Sequence, residues 1–100
     1  MIEFEEKQLE GLLTVTAFGQ MTLNEVPELQ AASHKWYQGQ HQELILDLAN
    51  IGAMDSSGVG TLIAIKSNYT KLERKFSLVI GPRLSDLFKD LKVFDEFQYS

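Results

Sequence analysis

The stretch LILDLANIGAMDSSGVGTLIAI, residues 44–65, decides how this chain is expected to fold. Residues 44–48 form a short, almost wholly apolar run, which is typical of a central strand covered on both sides. A polar loop follows, and a helix is predicted to open at Ser56. The first N–H groups of a helix have no partner within it, so an Asp or Ser side chain there can cap them. A hydroxyl at this position also lies where added negative charge is tolerated, which makes the junction a plausible serine switch.

The residues before this stretch predict a hairpin and a first helix. Residues 2–9 partly alternate and residues 12–18 are rich in β-formers, with Gly11 between them, which indicates an antiparallel hairpin. A turn at 19–20 then leads to Asn24, interpreted as a helix N-cap with Pro27 in the first turn. Gly39 ends this helix. Its buried face is predicted to consist of Val26, Leu29, Ser33 and Trp36.

The residues after Ser56 predict two more helices separated by a strand. The stripe of the second helix steps by three and four residues, at Leu62, Ile65, Tyr69 and Leu72. Residues 76–80 predict a strand and Gly81-Pro82 a turn. The third helix carries apolar residues at helical spacing, at Leu84, Leu87, Phe88 and Leu91. Residues 93–99 predict either a last short strand or a packed tail. The order β-β-α-β-α-β-α-β indicates an α/β fold in one domain, residues 1–100, with helices packed on a mixed, mostly parallel sheet.

The composition of the chain excludes several classes of function. One hundred residues, 44% of them hydrophobic, suit a single core. A net charge of -5 and a pI near 4.9 argue against nucleic acid or an anionic membrane surface as partner. The acidic, alternating start is unlike a signal peptide, and the apolar runs are shorter than the roughly 20 residues that span a bilayer. With no cysteine present, we expect a soluble, cytoplasmic protein without membrane insertion.

Catalytic chemistry finds little support. A serine nucleophile usually needs a histidine base, and both His34 and His41 are interpreted as solvated surface residues. Position 54 is Met, so Ser56 does not lie in a Gly-x-Ser-x-Gly elbow. Nucleotide-binding glycine motifs are missing, and the acidic residues near the N-terminus suit a solvated face. We therefore expect no enzyme, no cofactor and no metal site.

An Asp-Ser-Ser-Gly sequence alone is most often an ordinary helix cap. The surrounding sequence favours a functional site over a simple cap. The block Leu46-Asp47-Leu48, Ile51 and residues 54–60, in a chain of this size and element order, resembles the STAS family of anti-sigma-factor antagonists. The resemblance covers nearly the whole chain and implies a STAS-like single domain.

The resemblance implies a function in bacterial partner switching and transcription regulation. Antagonists of this family bind an anti-sigma factor, often itself a serine kinase, and so release a sigma factor. The kinase phosphorylates the antagonist and a metal-dependent serine phosphatase reverses the reaction. Carried over to this chain, the phosphorylation site is Ser56, with Ser57 as the second candidate, and the free protein is expected to be a monomer.

The resemblance and the helical spacing together suggest a partner-binding surface. It comprises Asp55, Ser57, Gly58, Val59, Ile63 and Thr22. Val59 and Ile63 lie beside the buried stripe, and either an exposed docking patch or ordinary core packing suits them equally. Gln20 and Thr22 are neutral where the family commonly has acidic residues, so we expect part of this surface to differ.

Two alternatives stay open from the sequence. One is a constitutive STAS scaffold that binds a partner without phosphorylation, for example the ATPase of a lipid-transporting ABC complex or another signalling protein. The Ser56-Ser57 pair favours the switch, because a scaffold could cap this helix with Asp alone. The other is a small-molecule or lipid-binding module, which 100 residues leave little volume to build.

Overall fold

A computed structural model describes residues 1–90 and 98–99 of the chain, which form the predicted order of strands and helices. The hairpin strands are β1 (Ile2–Leu9) and β2 (Leu12–Met21). A 3₁₀ turn (Leu23–Glu25) leads into α1 (Val26–Tyr37). The remaining elements are β3 (Glu43–Met54), α2 (Ser56–Lys71), β4 (Lys75–Val79), α3 (Pro82–Asp90) and the two-residue β5 (Gln98–Tyr99). No helix in the described ranges has the combination of length and hydropathy that a membrane span requires.

The strands form one mixed, mostly parallel sheet in the order β1-β2-β3-β4-β5. Among the strands that the structure describes, only the hairpin pair is antiparallel, and Leu9 pairs with Leu12 at its closed end. Glu10 and Gly11 make this two-residue turn, with φ of 48° and 83°. Positive φ at both central residues is the geometry that matches the twist of hairpin strands. The predicted fold class is confirmed.

Strand β3 lies in the middle of the sheet, as predicted, but it is longer than residues 44–48. Leu44, Leu46 and Leu48 are fully buried, whereas Ile45 and Asp47 between them are half-buried. Both faces of the strand are thus at least partly covered, and one is buried more deeply than the other. The strand continues to Met54 because its second half pairs with β2.

The predicted turn at 19–20 and the Asn24 N-cap are also wrong. Gly19 and Gln20 belong to β2, whose register with β3 is irregular at this point. Gly19 has a φ of 108°, and a Cβ there would meet the carbonyl oxygen of Met1. Asn24 lies inside the 3₁₀ turn, and the residue that caps this turn is Thr22. Helix α1 starts immediately after the turn, with Pro27 in its first turn as predicted.

The helices bury most of the predicted stripes. Leu29, Ser33 and Trp36 of α1 are buried, and Val26 is half-buried. In α2, Leu62, Ile65 and Tyr69 are buried. Leu72 is 44% exposed, contrary to prediction, because α2 ends at Lys71 and Leu72 is only its C-cap. Leu84 and Phe88 of α3 are buried; Leu91 and residues 93–97 lie outside the described residues.

Candidate functional site at the start of helix α2

Asp55 is the centre of the candidate site. It is the N-cap of α2, and its Oδ1 accepts a hydrogen bond from the backbone N–H of Gly58 at 3.1 Å. Its Oδ2 accepts from the backbone N–H of Leu23, also at 3.1 Å. The N–H groups of Gly58 and, second, of Leu23 lower the pKa of Asp55 from its ordinary value. One carboxylate therefore fixes the start of α2 to the 3₁₀ turn that follows β2.

Ser56 and Ser57 occupy the first two positions of α2 but differ in access. Ser56 is exposed, whereas Ser57 is half-buried. The backbone carbonyl of Ser57 also accepts a hydrogen bond from Thr61 Oγ1 at 2.8 Å. Access thus favours Ser56 over Ser57 as the hydroxyl that an external enzyme reaches. Its place at a helix N-terminus favours a negatively charged group.

Gly58 lets α2 approach the end of β2. It is buried, and a Cβ at this position would collide with the backbone carbonyl oxygen of Met21. A side chain on Gly58 would therefore push the first turn of α2 away from the sheet. The glycine of the Asp-Ser-Ser-Gly motif has a packing role that sets the position of Ser56.

The 3₁₀ turn beside Asp55 is organised by Glu25. The Oε1 of Glu25 accepts from Thr22 N at 2.9 Å and from Thr22 Oγ1 at 2.7 Å, and its Oε2 pairs with the α-amino group of Met1 at 2.8 Å. The bond with that amino group and the two bonds from Thr22 lower the pKa of Glu25 to about 2. Glu25 was not among the predicted site residues, although Thr22-x-x-Glu25 is the spacing of a capping box.

Leu23 is a second residue that the sequence analysis missed. Its side chain is 66% exposed, although its backbone N–H is held by Asp55. The turn therefore presents an apolar side chain beside the start of α2. Its connection to Asp55 joins residues 32 positions apart, which no local sequence signal reveals.

Val59 is not part of an exposed patch. It is 3% exposed and belongs to the hydrophobic core, so the core alternative holds for this residue. Val59 precedes Leu62 by three positions and so continues the buried stripe by one turn. Ile63 is half-buried and packs against the core. Thr22 is half-buried and is joined to the site through the neighbouring Leu23 N–H.

Both histidines lie at the other end of α2. His34 is exposed in the last turn of α1, where it lines a groove of about 350 Å³ with residues that include Asn68, Lys71 and Leu72. His41 is only 1% exposed and lies 2.6 Å, Nε2 to Oη, from Tyr69. The prediction that His41 is a solvated surface residue was therefore wrong. The start of α2 has an exposed serine and a capping carboxylate, with the histidines elsewhere.

Comparison with known proteins now identifies the family. The model of the STAS domain matches residues 3–100, and the chain belongs to this family. No curated protein matches the sequence.

Solved structures with the same fold include anti-sigma factor antagonists. One from Mycobacterium paratuberculosis has a TM-score of 0.84 and 22% identity, over 99% of this chain and 85% of that one. The anti-sigma factor antagonist SpoIIAA in its unphosphorylated form has a TM-score of 0.77 and 19% identity, over 98% and 88%. The phosphorylated form of Bacillus SpoIIAA also matches, with a TM-score of 0.71 and 18% identity, over 98% and 91%.

The fold also occurs within a much longer protein. The murine anion transporter Slc26a9 matches with a TM-score of 0.79 and 20% identity, over 93% of this chain but only 16% of that chain. At these identities the matches establish a shared fold.

Proposed function

We propose that this protein is an anti-sigma-factor antagonist whose binding to an anti-sigma factor is controlled by phosphorylation of Ser56. The observation that carries the proposal is the exposed Ser56 hydroxyl at the first position of α2, beside the capping carboxylate of Asp55. Ser57 is the second candidate acceptor, but it is half-buried. The partners in this proposal are an anti-sigma factor that is also a serine kinase and a phosphatase that acts on the phosphorylated form.

The similar solved proteins support the proposal. Two of them are anti-sigma factor antagonists, and one of these, SpoIIAA, has been solved both with and without its phosphate. A domain of this fold therefore tolerates phosphorylation. In the proposed setting the protein acts in the bacterial cytoplasm as a regulator of transcription, and the free antagonist is a monomer.

The local electrostatics explain how one fold can accept both states. Phosphorylation adds about -1.5 to -2 charge and three acceptor oxygens. At a helix N-terminus the helix dipole stabilises such a charge by about 1 kcal/mol. We therefore expect the backbone of the domain to stay nearly unchanged when Ser56 is phosphorylated, so that the switch acts at the surface.

The surface around Ser56 has apolar side chains that a partner could contact, and phosphorylation would add negative charge that could repel it. Leu23 is exposed beside Asp55, and Ile63 is half-buried on α2. With Thr22 and Ser57, these residues are the proposed contact area; Gly58 and Val59, which were expected on this surface, are buried and support it from below. A phosphate next to the ionised Asp55 would concentrate negative charge there. Like charge facing an acidic or closely fitted partner surface disfavours binding.

The proposal is tested with the protein purified from its native host. The intact mass is measured before and after treatment with a serine phosphatase, and any phosphate is mapped to a residue. We expect one phosphate on Ser56, absent from a Ser56→Ala variant and retained by a Ser57→Ala variant. A phosphate that survives Ser56→Ala and disappears with Ser57→Ala would move the site to Ser57.

A second candidate function is a constitutive STAS scaffold that binds a partner without phosphorylation. Two observations favour it: the fold match within an anion transporter, and the neutral Gln20 and Thr22 beside the site. In this case the partner would be another signalling protein or the ATPase of a lipid-transporting ABC complex. A protein that never carries phosphate in its host and co-purifies with a transporter ATPase would favour the scaffold.

A further inference from the structure

His41 and Tyr69 form a buried polar pair at the opposite end of α2 from Ser56. His41 lies between α1 and β3 in a segment of Gly and Gln residues, yet it is only 1% exposed. Its Nε2 lies 2.6 Å from the hydroxyl oxygen of Tyr69, which is fully buried. The Tyr69 ring in turn contacts the rings of Tyr37 and Phe76, with centroids 5.7 and 5.6 Å apart. The pair thus connects the segment before β3 to the last turns of α2.

The other ring nitrogen of His41 has no such partner. Nδ1 is buried, and among the described residues it neither accepts nor donates a hydrogen bond. Gly39 packs so closely against the ring that a Cβ there would lie 2.9 Å from Nδ1. Neutral His41 can leave Nδ1 as a bare lone pair while Nε2–H donates to Tyr69. Protonated His41 carries an N–H on both nitrogens, so it would bury a positive charge and an unpaired donor together.

The charged groups around His41 do not provide a counter-ion dedicated to it. Arg74 lies near enough to disfavour a positive charge on His41, and its Nη1 donates to the carbonyl oxygen of Tyr37 at 3.2 Å. Glu6 favours the charged form, but its Oε2 already accepts from Trp36 Nε1 at 3.3 Å. The titratable partner of His41 is the phenol of Tyr69. Tyr37 packs against the Tyr69 ring, and its hydroxyl accepts a hydrogen bond from Asn68.

We propose that neutral His41 acts as an acid-sensitive lock that holds the start of β3 to the end of α2, and that its protonation opens this end of the domain. This inference does not depend on Ser56 or on any partner. The lock involves the backbone too: Gln42 N donates to Gly11 O at 2.7 Å, and Lys75 N donates to Gln42 O at 3.0 Å. Loss of the lock would therefore loosen the first residues of strands β3 and β4, which lie next to the hairpin turn.

The direction of the pH effect follows from burial. Burial lowers the pKa of His41 below 6.5, and Arg74 lowers it further. The folded state then resists a proton that the unfolded chain accepts at about pH 6.5. The stability from neutral His41 is fully present above that pH, and it is lost as the pH falls toward the folded pKa.

The test compares the unfolding equilibrium constants of the wild type, His41→Gln and His34→Gln between pH 7.5 and 5. As pH falls below 6.5, the wild-type constant is expected to rise relative to His41→Gln, approaching about tenfold per pH unit for a single proton. His34→Gln, which changes an exposed histidine, is the matched control for removing an imidazole. A ratio between wild type and His41→Gln that stays constant over this range would overturn the proposal.

If His41→Gln does not fold, a second measurement on the wild-type protein tests whether His41 resists protonation. In the wild-type protein, the ring resonances of His41 are followed by NMR during acidification. They are expected to keep their neutral shifts at a pH where the histidines of the urea-unfolded chain are already protonated. A midpoint equal to or above that of the unfolded chain would overturn the lock.

Discussion

The two ends of helix α2 use polar groups in opposite ways. At the start, Asp55 and Ser56 lie at the surface, and the hydrogen bonds run from backbone N–H groups to an ionised carboxylate. At the end, His41 and Tyr69 are buried and share one short hydrogen bond between side chains. The first arrangement accommodates added negative charge, whereas the second excludes added positive charge. In our two proposals, one end of this helix is modified and the other depends on staying neutral.

The largest expected effect comes from the close approach at Gly58. Gly58→Ala would place a Cβ against the carbonyl oxygen of Met21 and is expected to lower the free energy of unfolding by about 2–3 kcal/mol. Gly60→Ala is the matched control. It lies two residues on in the same helix, and apart from its chain neighbours and the helix's own backbone no atom lies within 4 Å of a new Cβ.

Chemical denaturation of both variants measures the contrast. Gly60→Ala is expected to raise the free energy of unfolding by about 0.5–1 kcal/mol, because alanine has the higher helix propensity. Equal effects at the two positions would show that the start of α2 does not depend on the contact with β2.

The next effect concerns the buried end of the helix. Tyr69→Phe removes the hydroxyl that partners His41 and leaves a buried imidazole with no bond from Tyr69. We expect a loss of about 1–3 kcal/mol in the free energy of unfolding. Thermal unfolding near pH 7.5, where His41 is uncharged, measures this loss. An unchanged free energy of unfolding would indicate that the 2.6 Å contact contributes nothing to stability.

Asp55 should give a smaller effect at the exposed end. Asp55→Ala removes the N-cap and the bond to Leu23 N, and is expected to cost about 1 kcal/mol. Because the folded state lowers the pKa of Asp55, its contribution is present above the pKa of an unfolded Asp and is lost as the pH falls through the folded value. Unfolding of wild type and Asp55→Ala at pH 7 and in acid measures the effect. The free energies of unfolding of the two proteins should converge in acid. A difference that stays constant with pH would show that the effect does not come from the ionised carboxylate.

The smallest change is expected for Ser56→Asp. An added carboxylate at the first position of α2 should alter the free energy of unfolding by less than about 1 kcal/mol, in the stabilising direction. Circular dichroism and denaturation together check that fold and stability are retained. A large destabilisation would contradict an acceptor site that tolerates charge.

Local sequence signals predicted the exposed end of α2 better than the buried end. Asp55 and Ser56 follow a strand and open a helix, and caps depend on neighbours only a few residues away. His41 was misjudged because its Gly- and Gln-rich segment looks like a surface loop. Backbone bonds of Gln42 to Gly11 and Lys75, distant in sequence, hold the end of that segment against the sheet, and His41 beside it is buried.

The other errors have separate physical causes. Val59 was placed beside the buried stripe, yet the close approach at Gly58 brings the first turn of α2 into the core. Leu72 continued the helical spacing, but the helix had already ended. At the start of α1, Thr22 and Glu25 form the cap attributed to Asn24. Only the Val59 error came from a contact with another element; the capping box and the end of α2 are local features.

The most direct test of the central claim is binding of the unmodified and Ser56-phosphorylated protein to the host's anti-sigma kinase. Titration calorimetry with both forms and with Ser56→Ala provides the comparison. We expect the unmodified protein and Ser56→Ala to bind alike, and the phosphorylated protein to bind at least tenfold more weakly, about 1.4 kcal/mol. Equal affinity of the phosphorylated and unmodified forms would contradict a switch at Ser56.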